Sequence, residues 1–532
     1  MMKLRSLALL GHPLLLLALG SPECVRAVDR VKTNAGAVEG AAGQTPGIRV
    51  FRGIPFAAPP VGDLRWKPPL PVKRWKGIRP AGEFAARCMQ RTVYSDMIFR
   101  GKEPSEDCLY LNIWTPAKSG KERLPVLVYI YGGGFQAGDS SEGRYDGEAL
   151  ARRGIVYVSM NYRLGVFGFL SHPELTKESP QHASGNYGLL DQAEAVRWVS
   201  RNIAAFGGDP RKITIGGESA GSFSVSALMA SPLSRDLLAG AIGESGAFFG
   251  QTLRAQPVQK TEEAGAKFAG SIGAASLAAL RAMPAKELLE AAAKAGAMRF
   301  APNIDGYFMP ENAASIYGAG KQSHIPLLAG WNADEATQQV LLAKEKPAPE
   351  NVTNRLRTTF GASAEEAFRL YPAATPEQAL QSAKDLAGDQ FIGFSTWQWL
   401  EAQAKTGGQP VYRYFFTRVR PPLPGTMVNG VPVIQFGATH SSEIEYALGN
   451  LGFNKVYAWE PADHQVSEMM QAYWANFVKT GDPNGPNLPR WPAFSSANNS
   501  PVMRLDVNAQ AVPEQHRARY EFLERFYSQP AR

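Results

Sequence analysis

The sequence predicts an α/β protein: a mostly parallel central sheet with helices on both faces and helical insertions. Two observations carry the prediction. Short apolar, β-branched runs recur along the chain, and segments with apolar residues at helical spacing alternate with them. A third observation bounds it. With 44% hydrophobic and 20% charged residues the chain can bury a large core, which excludes disordered and collagen-like classes. The 532 residues would on length alone allow two or three domains.

Residues 109–114, 126–131 and 155–160 read as strands because each is a short β-branched or aromatic run. Residues 189–203 carry apolar side chains at helical spacing, and Asp191 near their start suits the positive end of a helix dipole. Residues 213–215 form the next strand, followed by the turn Gly217-Glu218-Ser219-Ala220-Gly221 and a helix. The alanine-rich stretch 262–298 and the segment 347–404 read as helical insertions over one edge or end of the sheet, and 325–329 as a further strand. No repeat or low-complexity linker divides residues 28–532, which therefore read as one large α/β unit.

Residues 1–27 differ in kind. Lys3 and Arg5 precede a mostly apolar run, and Val25-Arg26-Ala27 places small residues where a signal peptidase reads. The run is broken by His12-Pro13 and is shorter than the ~20 residues a spanning helix needs, so a cleaved secretory signal fits better than stable membrane insertion. A lipid anchor at Cys24 fits poorly because Glu23 precedes it. The mature chain is then expected to be secreted or periplasmic, with two cysteines left, Cys88 and Cys108. A disulfide closing that short loop would stabilise an exported protein by about 3 kcal/mol. The net charge of +8 is spread without a run of like charges, which excludes the concentrated basic stripe of a nucleic-acid binder. No CxxC, HExxH or histidine cluster calls for a metal, no cofactor motif is present, and nothing indicates an oligomeric state.

A strand, then a serine framed by glycines two positions to either side, then a helix, is the geometry of a nucleophile elbow; the glycines permit the sharp turn that exposes Ser219. A glycine-rich turn without chemistry gives the same local pattern. Serine needs a base and an orienting acid, which in this topology follow in the order Ser, acid, His. Three of the seven histidines, His12, His172 and His182, precede Ser219 and are excluded. His440 lies among small polar residues, Gly437 to Glu443, a context expected to leave its ring exposed at a loop tip. His464 and His516 sit in polar stretches that read as solvated helix surface. For the acid, Asp334 and Glu335 both follow the strand at 325–329, and the pattern does not choose between them. Tyr131-Gly132-Gly133-Gly134-Phe135 follows a strand and corresponds to an oxyanion loop, with the N–H groups of Gly133, Gly134 and Ala220 as donors. No Lys-Ser/Thr or GxGxxG accompanies it, which excludes a phosphate loop.

With these segments on the page, the chain resembles the type-B carboxylesterases, the α/β-hydrolase group that includes cholinesterases and bacterial para-nitrobenzyl esterases. The matching segments are Phe51-Arg52-Gly53-Ile54-Pro55-Phe56, Ser105-Glu106-Asp107-Cys108-Leu109-Tyr110-Leu111-Asn112, the glycine loop, Asn161-Tyr162-Arg163, Phe206-Gly207-Gly208-Asp209-Pro210, the elbow, Tyr473-Trp474-Ala475-Asn476-Phe477 and Thr480-Gly481-Asp482-Pro483. The resemblance implies hydrolysis of small carboxylic esters through an acyl-enzyme, without a cofactor. Ser219 is then the nucleophile, Glu335 the acid and His440 the base, with Glu218 and Ser245 supporting the histidine, or packing as ordinary polar residues. Cys88 and Cys108 match the family's first disulfide. No tryptophan lies between Met89 and Asp107, where cholinesterases hold a quaternary ammonium by cation–π attraction, so choline esters are not expected. Phe248 and Phe249 are candidates for an acyl pocket or for core. The competing reading is a noncatalytic cholinesterase-like binding or adhesion protein. Such proteins typically lack a triad member, and here all three positions are filled.

Overall fold

The computed structural model describes residues 29–274, 276–296, 300–428, 431–432, 437–495 and 500–529, so the signal reading at 1–27 lies outside the described residues. An 11-stranded sheet organises them. Its strands are β1 (Ala41–Ala42), β2 (Arg49–Pro55), β3 (Tyr110–Thr115), β4 (Leu124–Ile130), β5 (Val156–Met160), β6 (Gly208–Glu218), β7 (Gly240–Glu244), β8 (Leu327–Asn332), β9 (Val411–Phe416), β10 (Pro501–Leu505) and β11 (Gln510–Pro513). Across the sheet they run β1-β2-β3-β5-β4-β6-β7-β8-β9-β10-β11. Neighbours from β5 to β10 are parallel, and the margins, β1 to β3 and β11, are antiparallel.

The parallel strands β5, β7 and β8 are buried at every residue, as a sheet covered on both faces requires. The covering helices used below are α1 (Tyr187–Asn202), α2 (Ala220–Ala230), α3 (Phe394–Thr406), α4 (Pro461–Thr480) and α5 (Arg517–Tyr527). A Cβ added to Gly240 would approach Phe477 of α4, whereas one at Gly243 would strike Trp399 of α3 and approach Ser222 of α2. An odd separation along a strand points side chains to opposite faces, so α4 covers one side and α2 with α3 the other. Helix α2 is buried along its whole length. The two helical insertions expected from composition contain helices Val258–Ser271, Leu277–Ala282 and Ala285–Lys294 in the first, and Pro349–Phe360, Ala364–Leu370 and Pro376–Gly388 before α3 in the second. Among the described residues no helix is long and apolar enough to cross a membrane.

Each strand read from the sequence is present, but β6 extends well beyond 213–215 at both ends, because hydrogen bonding to β4 and β7 carries it through polar and glycine positions. The dipole role expected of Asp191 is not what the fold uses. Its carboxylate is wholly buried and paired with Arg163, accepting from Nε at 2.8 Å, Nη2 at 2.7 Å and the backbone N–H at 3.0 Å. It ties α1 to the segment that follows β5.

Candidate active site

The carboxyl ends of β4, β6, β7 and β8 converge, the position where open α/β sheets place ligands. At the end of β6 the chain turns into α2 through Ser219, whose φ of +54° and ψ of −123° are strained for a side-chain-bearing residue. Ser219 N donates to Glu244 O at 2.8 Å, and Phe223 N donates to Ser219 O at 2.9 Å, holding the turn from both sides. Two glycines make it sterically possible. A Cβ at Gly221 would fall 2.0 Å from the Ile130 carbonyl oxygen, and one at Gly217 2.7 Å from the same oxygen.

Ser219 Oγ lies 2.9 Å from His440 Nε2, and His440 Nδ1 lies 2.6 Å from Glu335 Oε2. The other Glu335 oxygen accepts from Ser245 Oγ at 2.6 Å and from Asn332 N at 2.7 Å, so the carboxylate is held at both ends. Asp334, the alternative acid, turns elsewhere. It accepts from Ala438 N at 3.0 Å and pairs with Lys384, while its own N–H donates to Ala438 O. Together with Asn332 Nδ2 donating to Thr439 O at 2.9 Å, these bonds splice the loop after β8 to the loop bearing His440.

That splice corrects one expectation. The His440 side chain is only 24% exposed, and the Phe391 ring stands edge-on to it at 5.1 Å. Phe391 belongs to a π-helical turn, Asp389–Gly393, anchored by Arg519 Nε 3.0 Å from Asp389 Oδ2 and by the Tyr371 hydroxyl donating to the same oxygen at 3.0 Å. Of the other histidines, His464 is exposed on α4 as expected. His516 is not on solvated surface: it is half-buried at the start of α5, where burial and the neighbouring Arg519 push its pKa down to about 4.

Carboxylates crowd the histidine from behind. Glu218 Oε1 is 3.3 Å from His440 Nε2, and its side chain is 3% exposed. Burial pushes Glu218 up to about 8 against the attraction of His440. Glu443, whose carboxylate accepts from Asn332 Nδ2, is pushed up to about 7 by burial and by Glu335, and Glu244 is raised by burial and by Glu443 and Glu218. Burial lowers the His440 pKa, but Glu218 and Glu335 outweigh it and raise the ring to about 9.

Gly133 and Gly134 have φ of +106° and +62°, and a Cβ at Gly133 would fall 2.1 Å from the Ala137 carbonyl oxygen, so only glycine fits this loop. Among the described residues no hydrogen bond engages the N–H groups of Gly133, Gly134 or Ala220, which leaves them available to a substrate oxygen. Gly133 and Gly134 border a cavity of about 240 Å³ that is also lined by Ser219, Glu218 and His440. Phe248 does not line it. Phe248 is core, stacked on Phe135 and edge-on to Phe223, and Phe249 packs on Tyr317. The apolar wall comes from Phe223, Leu253, Phe391 and Ile392. The sequence reading missed Phe391 and Ile392, as well as Tyr94, Asp96 and Arg144, which also line the cavity; the one available signal among the missed neighbours was Glu443, three residues beyond His440. Cys88 and Cys108 are joined in a disulfide.

A carboxylesterase family model matches residues 27–523. The chain is 37% identical over 479 residues to a fumonisin B1 esterase of Sphingopyxis macrogoltabida, covering 87% of this chain and 84% of that protein. It is 36% identical over 499 residues to carboxylesterase 5A of Canis lupus familiaris, covering 88% and 83%. The crystal structure of a Geobacillus stearothermophilus carboxylesterase superposes with a TM-score of 0.79 at 32% identity, covering 93% of this chain and 99% of that one.

Proposed function

The chain belongs to the carboxylesterase family and is a carboxylic ester hydrolase of the α/β-hydrolase fold, and from that premise we propose that Ser219, His440 and Glu335 carry the reaction. The observation that supports this reading is the continuous relay from Ser219 Oγ through the imidazole to Glu335. His440 Nε2 accepts the hydroxyl proton as Ser219 Oγ attacks the ester carbonyl, and Glu335 fixes the tautomer and stabilises the imidazolium. The tetrahedral oxyanion rests on the N–H groups of Gly133, Gly134 and Ala220, which need no rearrangement to receive it. His440 then protonates the departing alcohol, leaving an acyl-Ser219 ester, and activates water to hydrolyse it.

We further propose that residues 1–27 are a secretory signal and that the mature chain works outside the cytoplasm; the Cys88–Cys108 disulfide supports an oxidising compartment.

The test is Ser219→Ala assayed with para-nitrophenyl butyrate. Turnover is expected to fall by roughly 10³-fold or more while the circular dichroism spectrum is unchanged, and the wild type is expected to release a burst of one nitrophenol per active site. Undiminished turnover in the variant would overturn the assignment.

A further inference from the structure

The residues that line the cavity are of two kinds. Phe223, Leu253, Phe391, Ile392 and Met97 are apolar. Glu218, Tyr94, Asp96, Arg144 and Tyr145 are ionisable, and Glu218 and Asp96 both act electrostatically on Tyr94, so these three lie near one another. Tyr94 and Asp96 lie on the loop closed by the Cys88–Cys108 disulfide. Asp96 pairs with Arg144 at 3.0 Å, yet half of its side chain remains exposed, whereas Arg144 is buried. Tyr94 leans over the glycine loop: a Cβ on Gly134 would fall 2.9 Å from its hydroxyl oxygen. Among the described residues no hydrogen bond engages that hydroxyl.

The chemistry bears on which of these residues meet the alcohol of an ester. The departing alkoxide must collect its proton from His440 Nε2, and Glu218 stands 3.3 Å from that nitrogen. An alcohol beside Nε2 is thus within reach of Glu218 and of the Tyr94 and Asp96 groups near it, which leaves the apolar lining to the acyl chain.

Resting on the reading above, we propose that this hydrolase prefers esters of an apolar acid with a hydroxyl-bearing alcohol, and that the Tyr94 hydroxyl and the exposed Asp96 carboxylate recognise the alcohol. A polyol offers both the donors that a carboxylate accepts and the acceptors that a phenol needs. A plain alkyl alcohol would offer the Tyr94 hydroxyl no partner and would leave Asp96 with Arg144 alone, so it forgoes the bonds that a polyol makes.

The experiment compares kcat/KM for 2,3-dihydroxypropyl butyrate and n-propyl butyrate, in the wild type and in Tyr94→Phe. Both esters form the same butyryl intermediate, so their ratio reports the alcohol side alone and is independent of the active fraction in a preparation. The wild type is expected to favour the dihydroxypropyl ester by roughly five- to tenfold, and Tyr94→Phe to lose most of that preference. A wild-type ratio near or below one, or a ratio unmoved by Tyr94→Phe, would overturn the proposal. Wild-type turnover of para-nitrophenyl butyrate separates the two readings. Its absence defeats the proposed triad, whereas its presence with a flat ratio defeats only the assignment of the alcohol's partners.

Discussion

At the scale of single residues, the proposed role of His440 as base makes Glu218 the neighbour that sets the pH at which it acts. The imidazole must be neutral to accept the Ser219 proton, so kcat/KM rises as pH climbs through the His440 pKa and levels off above it. Glu218 and Glu335 hold that pKa near 9, which places the rise in the weakly alkaline range. Glu218→Gln removes a carboxylate 3.3 Å from Nε2 without changing its size, and with it a charge that favours the imidazolium. The rise in the pH–kcat/KM profile for para-nitrophenyl butyrate is therefore expected to move to lower pH by about one unit. A profile that stays in place would mean that Glu218 remains protonated and contributes no charge to the histidine. The members of the relay were legible in the sequence because chain order leaves few histidines after the elbow and the elbow announces its own serine. The acid was less legible. Asp334 and Glu335 are adjacent and chemically alike, so the local pattern left them open and only the family resemblance pointed to Glu335; the bonds from Asp334 to Ala438 and Lys384 show that Asp334 turns away from the ring.

Among the elements, the elbow tolerates change least. Helix α2 starts so close to the end of the neighbouring strand β4 that Gly221 sits against the Ile130 carbonyl, where a methyl group 2.0 Å from backbone oxygen cannot be accommodated by a rotamer change. Gly216, five residues earlier within β6, would place its Cβ 3.2 Å from the tip of the Leu127 side chain, which can give way. Gly221→Ala is thus expected to abolish soluble, active protein, and Gly216→Ala to remain folded at a cost of about 1–3 kcal/mol. Expression level and urea midpoint measure both, and equal behaviour of the two variants would contradict this close approach. Strands such as β4 and β5 were legible because burial on both faces makes them continuous apolar runs. The π-turn that brings Phe391 to His440 was not. Gln390, Phe391 and Ile392 read as ordinary helix, and the wider turn depends on Asp389 being held by Arg519 and Tyr371, residues distant in sequence.

For the whole molecule, the disulfide loop joins the antiparallel margin of the sheet to the site at its centre. Beyond the covalent link, Gln90 donates to Gly138 O at 2.8 Å and accepts from Gly138 N at 2.9 Å, so the loop follows the segment just beyond the glycine loop. The N–H groups of Arg100 and Gly101 both donate to Ser141 Oγ, at 3.1 and 2.6 Å, and Arg100 pairs with Asp146 at 3.0 Å. Tyr94, Asp96 and Met97 are thereby presented to the cavity from a wall fixed at both ends. Both cysteines are 1% exposed, so replacing them costs packing as well as the cross-link. The double variant Cys88→Ser/Cys108→Ser is expected to lose about 3 kcal/mol, on the chain-entropy account of a loop of this size, read as a lower urea midpoint. The kinetic consequence discriminates further. The loop contributes a wall of the cavity but no member of the relay, so KM for para-nitrophenyl butyrate should rise severalfold while kcat changes less than about twofold. A loss confined to kcat would place the loop's influence on the relay itself, through the Gln90 bonds to Gly138 just beyond the glycine loop.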